Sequence, residues 1–134
     1  MTIQLSTTVR NARLDAIETA MGVSAVIKLR TGAQPANCAA ADSGTVLASY
    51  TLASDWAAAA SGGSKSFNNT PLSTTGLAAG TVAHYRAYAS DGTTCHMQGS
   101  VTATGGGGDM IADNTSIAVG QTVTITWSMT DGNA

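Results

Sequence analysis

The chain has 134 residues and a formal net charge of −2; Ala, Thr, Ser and Gly account for 72 residues, whereas Asp, Glu, Lys, Arg and His supply only 16. The length suits one domain. Its six basic residues are scattered, which argues against nucleic-acid binding, since binding phosphates needs clustered Lys and Arg. No apolar run approaches the roughly 18 residues of a membrane span. We therefore expect neither a nucleic acid nor a membrane as a partner.

Residues 6–22 predict an N-terminal helix with Ser6 as its N-cap and Gly22 as its stop signal. Apolar residues recur at helical spacing, namely Val9, Ala12, Ala16, Ile17, Ala20 and Met21. The polar residues fall on the other face, namely Arg10, Asn11, Asp15 and Glu18. A helix this short must pack on its own sheet or on a neighbouring subunit, and both remain open. Candidate interface residues on it are Val9, Arg13 and Ile17.

The next segments predict two strands and two loops. Residues 25–30 and 45–52 alternate between apolar and polar positions, which is typical of strands. The stretch 31–44 between them is rich in Gly, Pro, Asn and Asp and predicts a loop. Residues 55–60 could form one helical turn. Residues 61–80 predict a long surface loop with a short strand near 65–67.

Two alternating runs flank Ser90-Asp91-Gly92 and predict a β-hairpin. A three-residue loop with Gly92 in the left-handed conformation would pair Ala87 with Cys95 and Tyr85 with Met97. This register separates apolar from polar positions, whereas a two-residue loop would pair Arg86 with Met97.

One face of this hairpin is the second candidate contact surface, made of His84, Arg86, Tyr88, His96 and Gln98. Tyr and Arg are enriched at binding hot spots. An ordinary exposed sheet face is the alternative interpretation. Trp56 could be a further anchor, although plugging one end of the sheet structure is the better interpretation.

Residues 105–108 are four consecutive glycines and predict a flexible hairpin loop. A short strand at 110–112, a turn at 113–115 and a final strand with apolar residues at alternate positions 123–129 follow. The predicted fold is mainly β: an antiparallel sandwich or barrel of about six to eight short strands over residues 23–134, preceded by the helix or arm at 1–22.

The sequence assembles no site for chemistry, so we expect a non-enzyme without metal or cofactor. No Ser lies in a G-x-S-x-G elbow, and the Asp residues mostly neighbour turn-forming residues. His84 and His96 could share a metal, but a zinc site needs a third ligand. Charged residues interrupt any signal-peptide core near the N-terminus, so synthesis in a cytoplasm is expected. Cys38 and Cys95 are therefore expected to be free, half-buried thiols, a disulfide being the alternative.

Several segments together resemble a family of small structural proteins of tailed-bacteriophage virions. They are the opening helix at 6–21 and the segments 29–37, 41–48, 85–86 with 90–93, and 114–117 with 120–125. Their motifs are strand and turn patterns, which specify a fold family better than a role. The resemblance implies a virion component made in the host cytoplasm and carries no catalytic residue.

Within that family, size and composition resemble a capsid decoration or cement protein. Val, Ile, Leu and Phe number only 22, so the core is thin and contacts with neighbours would add stability. The expected partners are the major capsid protein, other virion proteins and further copies of the chain. The alternatives are a tail, neck or fibre component, or a module that binds a host glycan through the loops at 61–80 and 105–108.

Overall fold

The computed structural model describes residues 3–68 and 72–131. The expected mainly β fold with one N-terminal helix is confirmed. The elements in chain order are α1 (Thr7–Met21), β1 (Val26–Arg30), β2 (Val46–Thr51), β3 (Ser64–Ser66), β4 (Leu72–Thr75), β5 (Gly80–Thr81), β6 (His84–Tyr88), β7 (Cys95–Ala103), β8 (Met110–Ala112), β9 (Ser116–Ile117) and β10 (Thr122–Thr130).

The main sheet is curled and mixed, with the strand order β2-β1-β6-β7-β8-β10-β3, and β4 also pairs with β10. Its pairings are antiparallel except that β7 and β8 run parallel. The curl brings β2 close to β10. The two strands are in contact there, since the Tyr50 hydroxyl of β2 donates to the Val123 carbonyl of β10 at 2.9 Å. Strands β5 and β9 form a small second sheet.

The alternation predicted for the first and last strands is confirmed. In β1, Ile27 and Leu29 are fully buried, and in β10 the residues Val123, Ile125 and Trp127 face inward between exposed or half-buried polar residues. Period-two burial of this kind is what a strand with one face on the core produces. The two strands therefore form opposite walls of one hydrophobic core.

Trp56 plugs this core, as the better of its two interpretations predicted. Its ring packs against Phe67 and Trp127, with centroids 6.3 and 6.2 Å away. Its indole N–H donates to the Gly22 carbonyl at 3.1 Å, which satisfies the polar atom of a side chain that is only 3% exposed.

The hairpin between β6 and β7 has a longer turn than predicted. Ala87 pairs with Met97 and Tyr88 with Cys95, with a bulge between the two pairs, so the predicted pairings of Ala87 with Cys95 and of Tyr85 with Met97 are both wrong. Gly92 is left-handed as expected, with φ 69°, but Asp91 widens the turn by accepting hydrogen bonds from the backbone of the following residues. The face assignment holds for Tyr85, Ala87 and Met97, which all lie in the core.

The helical turn expected at 55–60 is wrong, because the backbone of this segment bonds elsewhere. The N–H groups of Ala57 and Ala60 donate to Glu18 and Asp15 of α1, and that of Ala58 donates to the Ser66 carbonyl. The short strand expected near 65–67 is confirmed as β3, but the expected loop at 61–80 also contains β4 and the start of β5, and residues 69–71 are outside the described part.

The glycines at 105–108 lie in a tight connection between the parallel strands β7 and β8, so the expected flexible hairpin loop is wrong. Residues 104–109 lead from the end of β7 back alongside it, so that β8 can start opposite Val101. A Cβ on Gly106 would lie 2.6 Å from the Thr102 Cβ, and the Gly108 N–H donates to the Thr102 hydroxyl at 2.9 Å. This close approach of backbone to β7 requires glycine.

Candidate assembly surface

Helix α1 packs on its own chain, one of the two expected options, through a face that includes the polar residues Asn11, Asp15 and Glu18. The Ser6 hydroxyl caps the first turn by accepting from the Val9 N–H, and the Gly22 N–H closes the last turn. Leu14 and Met21 are buried and Ile17 packs against the core. Of the predicted apolar stripe, Met21 and Ile17 face the core, whereas Val9, Ala12, Ala16 and Ala20 face solvent.

Three polar side chains of α1 hold the segment 57–65. Asn11 accepts from the Gly63 N–H at 2.8 Å, Asp15 from the Ala60 N–H at 2.8 Å and Glu18 from the Ala57 N–H at 3.3 Å. These contacts satisfy backbone donors that no strand partner reaches, which a purely apolar helix face could not do.

Lys65 of β3 binds the same carboxylates of α1 from the side of the sheet. Its ammonium lies 2.8 Å from Asp15 and 2.9 Å from Glu18, and it also donates to the Ala58 carbonyl. The Lys65 side chain is 0% exposed. Burial lowers its pKa, but the hydrogen bonds to the two carboxylates outweigh burial and hold the pKa above its usual value. We call Lys65, Asp15 and Glu18 the helix cluster.

Docking by the polar face leaves an apolar stripe of α1 turned to solvent. The exposed residues of this stripe follow the helical spacing of three and four and are Val9, Ala12, Ala16, Ala20 and, just beyond the helix, Val23. Val9 is 44% exposed and Val23 is 63% exposed. Arg13 lies beside the stripe, largely exposed, and pairs with Asp131 at 3.2 Å. The helix thus carries two apolar stripes: the one with the large side chains of Leu14, Ile17 and Met21 faces the core, as in an ordinary surface helix, and the one with the alanines faces solvent.

The three candidate interface residues of the helix therefore fall in different environments. Val9 and Arg13 lie at the surface, whereas Ile17 belongs to the packed side of the helix. The alanines at 12, 16 and 20 extend the exposed part, and no charged side chain interrupts the line between them.

The second candidate surface is mostly covered. His84 and Arg86 are each 1% exposed and Tyr88 is 0% exposed, so the expectation that these three form an exposed face is wrong. His96 is exposed, and Gln98 is half-buried because its side chain donates to the Pro35 carbonyl. The loop 31–44 folds over this face, a covering that the strand pattern alone does not reveal.

Asp42 of that loop forms ion pairs with two buried arginines, Arg30 and Arg86. Its carboxylate is 2.6 Å from Arg86 and 2.7 Å from Arg30, and it accepts from the Tyr88 hydroxyl at 2.8 Å. Burial raises the pKa of Asp42, but the hydrogen bond from Tyr88 and the two arginine charges outweigh it and hold the pKa below its usual value. We call Arg30, Arg86, Asp42 and Tyr88 the loop cluster.

His84 adjoins the loop cluster, where its surroundings favour the neutral ring. Burial is the largest cause that lowers its pKa, and the charges of Arg30 and Arg86 lower it further. Its Nδ1 contacts the Gly32 carbonyl at 2.9 Å, so the proton on the neutral ring lies on Nδ1. The pair of His84 and His96 is therefore split between a buried and an exposed position.

Among residues 3–68 and 72–131, no three His, Cys, Asp or Glu side chains come together as a possible metal site. In the same residues, no helix has the length and apolarity that a membrane crossing would need.

Sequence reasoning missed Lys65, Asp42 and the inward role of Asp15 and Glu18. A signal was present, because Asp15 and Glu18 are three residues apart and therefore share one helix face. Arg30 and Arg86 likewise lie on the same face of the neighbouring strands β1 and β6, where Arg30 pairs with His84 and Arg86 with Lys28. Two buried cations on one face indicate a shared anion nearby.

The chain was also compared with known proteins. No protein-family model matches it, and no curated protein or solved structure is significantly similar to it.

Proposed function

We propose that this protein is a structural component of a tailed-bacteriophage virion, and most specifically a decoration protein that stabilises the head shell through protein–protein contacts. The observation that carries an assembly role is the orientation of α1, which is fixed to the chain by its polar face and presents Val9, Ala12, Ala16 and Ala20 outward. The virion assignment is supported by the resemblance of the segments named above.

The exposed stripe has the chemistry of a protein contact. Small side chains let a partner backbone approach closely, and the stripe carries no charge that would have to be desolvated. The helix cluster holds α1 in place before any partner arrives, so binding would not have to order the helix. In a shell of many identical subunits, the partner would be the major capsid protein or a further copy of this chain.

A tail, neck or fibre component would use the same surface, and copy number separates it from a decoration protein. A decoration protein occurs at a copy number comparable to that of the major shell protein, and its loss lowers the resistance of the particle to heat. A tail component is present at far fewer copies. A host-glycan-binding module would instead bind host cells as a purified protein.

The test combines copy number with a substitution in the stripe. Ala16→Glu keeps a good helix former and gains a favourable neighbour in Arg13, so the helix should persist. We expect at least a tenfold loss of binding to shells that lack the protein, since the contact would have to desolvate a charged carboxylate in the middle of the stripe. Ala36→Glu, at an exposed alanine of the loop 31–44, is the matched control and should bind normally. Normal binding of Ala16→Glu, or a low copy number in purified particles, would rule out the decoration role as described.

A further inference from the structure

Cys38 and Cys95 meet on the covered face of the sheet. Cys38 lies in the loop 31–44, and its carbonyl accepts a hydrogen bond from Arg86 at 2.8 Å. Cys95 begins β7 and pairs with Tyr88, whose hydroxyl reaches Asp42 of the same loop. Both contacts hold the loop over β6, and the pairing of Tyr88 with Cys95 places the start of β7 next to it.

The bulge between β6 and β7 explains why Cys95 is there. An unbroken register would have turned this side chain towards the core together with Met97. The register shift between Ala87 and Tyr88 instead leaves Cys95 beside the Arg86 guanidinium on the covered face. Both cysteines are free and half-buried, and their side chains lie close enough for Cys95 to raise the pKa of Cys38, while the Cys95 thiol itself donates to the Met97 carbonyl at 3.4 Å.

We propose that Cys38 and Cys95 form a modification site at which a small-molecule disulfide such as oxidised glutathione introduces an intramolecular disulfide that fastens the loop 31–44 to β7. The thiolate of one cysteine attacks the glutathione disulfide, which forms a mixed disulfide and releases one glutathione thiolate. The second cysteine loses its proton to water and attacks the protein sulfur of that mixed disulfide. The Cys38–Cys95 bond forms and the second glutathione leaves as its thiolate. The protein is oxidised by two electrons and glutathione disulfide is reduced by two electrons.

The reaction should be slow at neutral pH and faster in mildly alkaline buffer. Burial is the main cause that raises the pKa of the Cys38 thiol, and the contact with Cys95 raises it further. Because the thiolate is the reacting form, a thiol with a raised pKa needs a higher pH to enter exchange. Arg86 lies between the loop and the strand, and its positive charge opposes part of this shift.

The cross-link should stabilise the fold by restricting the unfolded chain. It would close a long loop between positions 38 and 95, and loops of that size give the larger disulfide effects. If the native geometry accommodates the bond with little strain, the Tm should rise by about 10 °C. The loop 31–44 should also exchange its amide hydrogens more slowly, since its opening then requires breaking a covalent bond.

The experiment treats the full chain with oxidised glutathione in mildly alkaline buffer and follows the intact mass, the free thiols and the Tm. The wild-type protein should lose two hydrogen atoms, lose both free thiols, stay monomeric without reductant and show the higher Tm. Cys38→Ser and Cys95→Ser should each stop at the mixed disulfide, with an added glutathionyl group and no comparable rise in Tm.

Two results would overturn the proposal. The first is a wild-type protein that accumulates mixed disulfides or disulfide-linked dimers instead of the internal bond. The second is an internal bond that lowers the Tm or leaves the exchange of the loop amides unchanged. Because each single serine variant can be compared with the wild type before oxidation, a folding defect of a variant is measured separately from the cross-link.

Discussion

The two ionic clusters bury their cations and fasten different segments to the same sheet, but with opposite charge ratios. In the helix cluster, one buried lysine serves Asp15 and Glu18, which are 45% and 24% exposed. In the loop cluster, one carboxylate that is 37% exposed serves Arg30 and Arg86, which are 8% and 1% exposed. The helix cluster thus has a spare anion near water, whereas the loop cluster has a spare cation away from it.

The difference determines what each cluster loses when a partner is removed. A carboxylate at the rim can be hydrated once its lysine is gone, but a buried guanidinium cannot move into water without opening the loop. We therefore expect the loop to depend more on its single anion than the helix depends on its single cation. The shortage of anions in the loop cluster also explains why its two arginines donate to backbone carbonyls, namely those of residues 37, 38, 40, 43 and 44.

The largest effect is expected for Asp42→Ala, which leaves two buried guanidinium groups without their anion. Breaking such a pair from one side should lower the free energy of unfolding by about 3 kcal/mol, measured by urea denaturation. Asp55→Ala removes an exposed aspartate in a neighbouring region and should change it by less than about 0.5 kcal/mol. Equal effects of the two substitutions would contradict the role given to Asp42.

A smaller effect is expected for Lys65→Met, which keeps the length of the side chain but removes the charge. The two carboxylates remain partly hydrated, so the free energy of unfolding should fall by about 1–2 kcal/mol. The amide hydrogens of α1 should exchange faster while those of β1 and β10 do not change. Arg13→Met removes an ion pair whose arginine is largely exposed, and it should cost less than about 0.5 kcal/mol.

The pH dependence of the stability lost in Lys65→Met tests whether the lysine charge is its cause. Since the folded-state pKa of Lys65 is raised, its stabilising contribution is complete below the unfolded value of about 10.4 and is lost as the pH rises through the folded value. The difference in stability between the wild type and Lys65→Met should therefore shrink in that alkaline range. The difference for Asp42→Ala should persist there, because arginines keep their protons. Parallel behaviour of both differences would mean that the two clusters are not distinct.

Sequence patterns predicted the elements whose neighbours along the chain determine their environment. The caps at Ser6 and Gly22 fixed the ends of α1, and alternation located β1, β2 and β10. These features depend on local propensity and on one buried face, both of which are visible in a short window of residues.

The orientation of α1 and the covering of β6 could not be predicted in the same way. The helix carries two apolar stripes, one with the alanines and one with Leu14, Ile17 and Met21, and periodicity alone does not choose between them. The choice is made by Lys65, which lies 50 positions from Asp15 in the chain. Likewise the alternation of β6 placed Arg86 correctly opposite to Tyr85, but a loop 44 positions away decides whether that face is exposed.

The proposed assembly role depends most on two features of α1: its alanine stripe faces outward, and an assembly partner covers it. With Cys38 and Cys95 replaced by serine, Ala16→Cys and Leu14→Cys can each be labelled with a maleimide in the free protein and in assembled particles. Ala16→Cys should react quickly in the free protein and at least tenfold more slowly in particles, whereas Leu14→Cys should react slowly in both. Slow labelling of Ala16→Cys in the free protein, or equally fast labelling in the particle, would contradict this role.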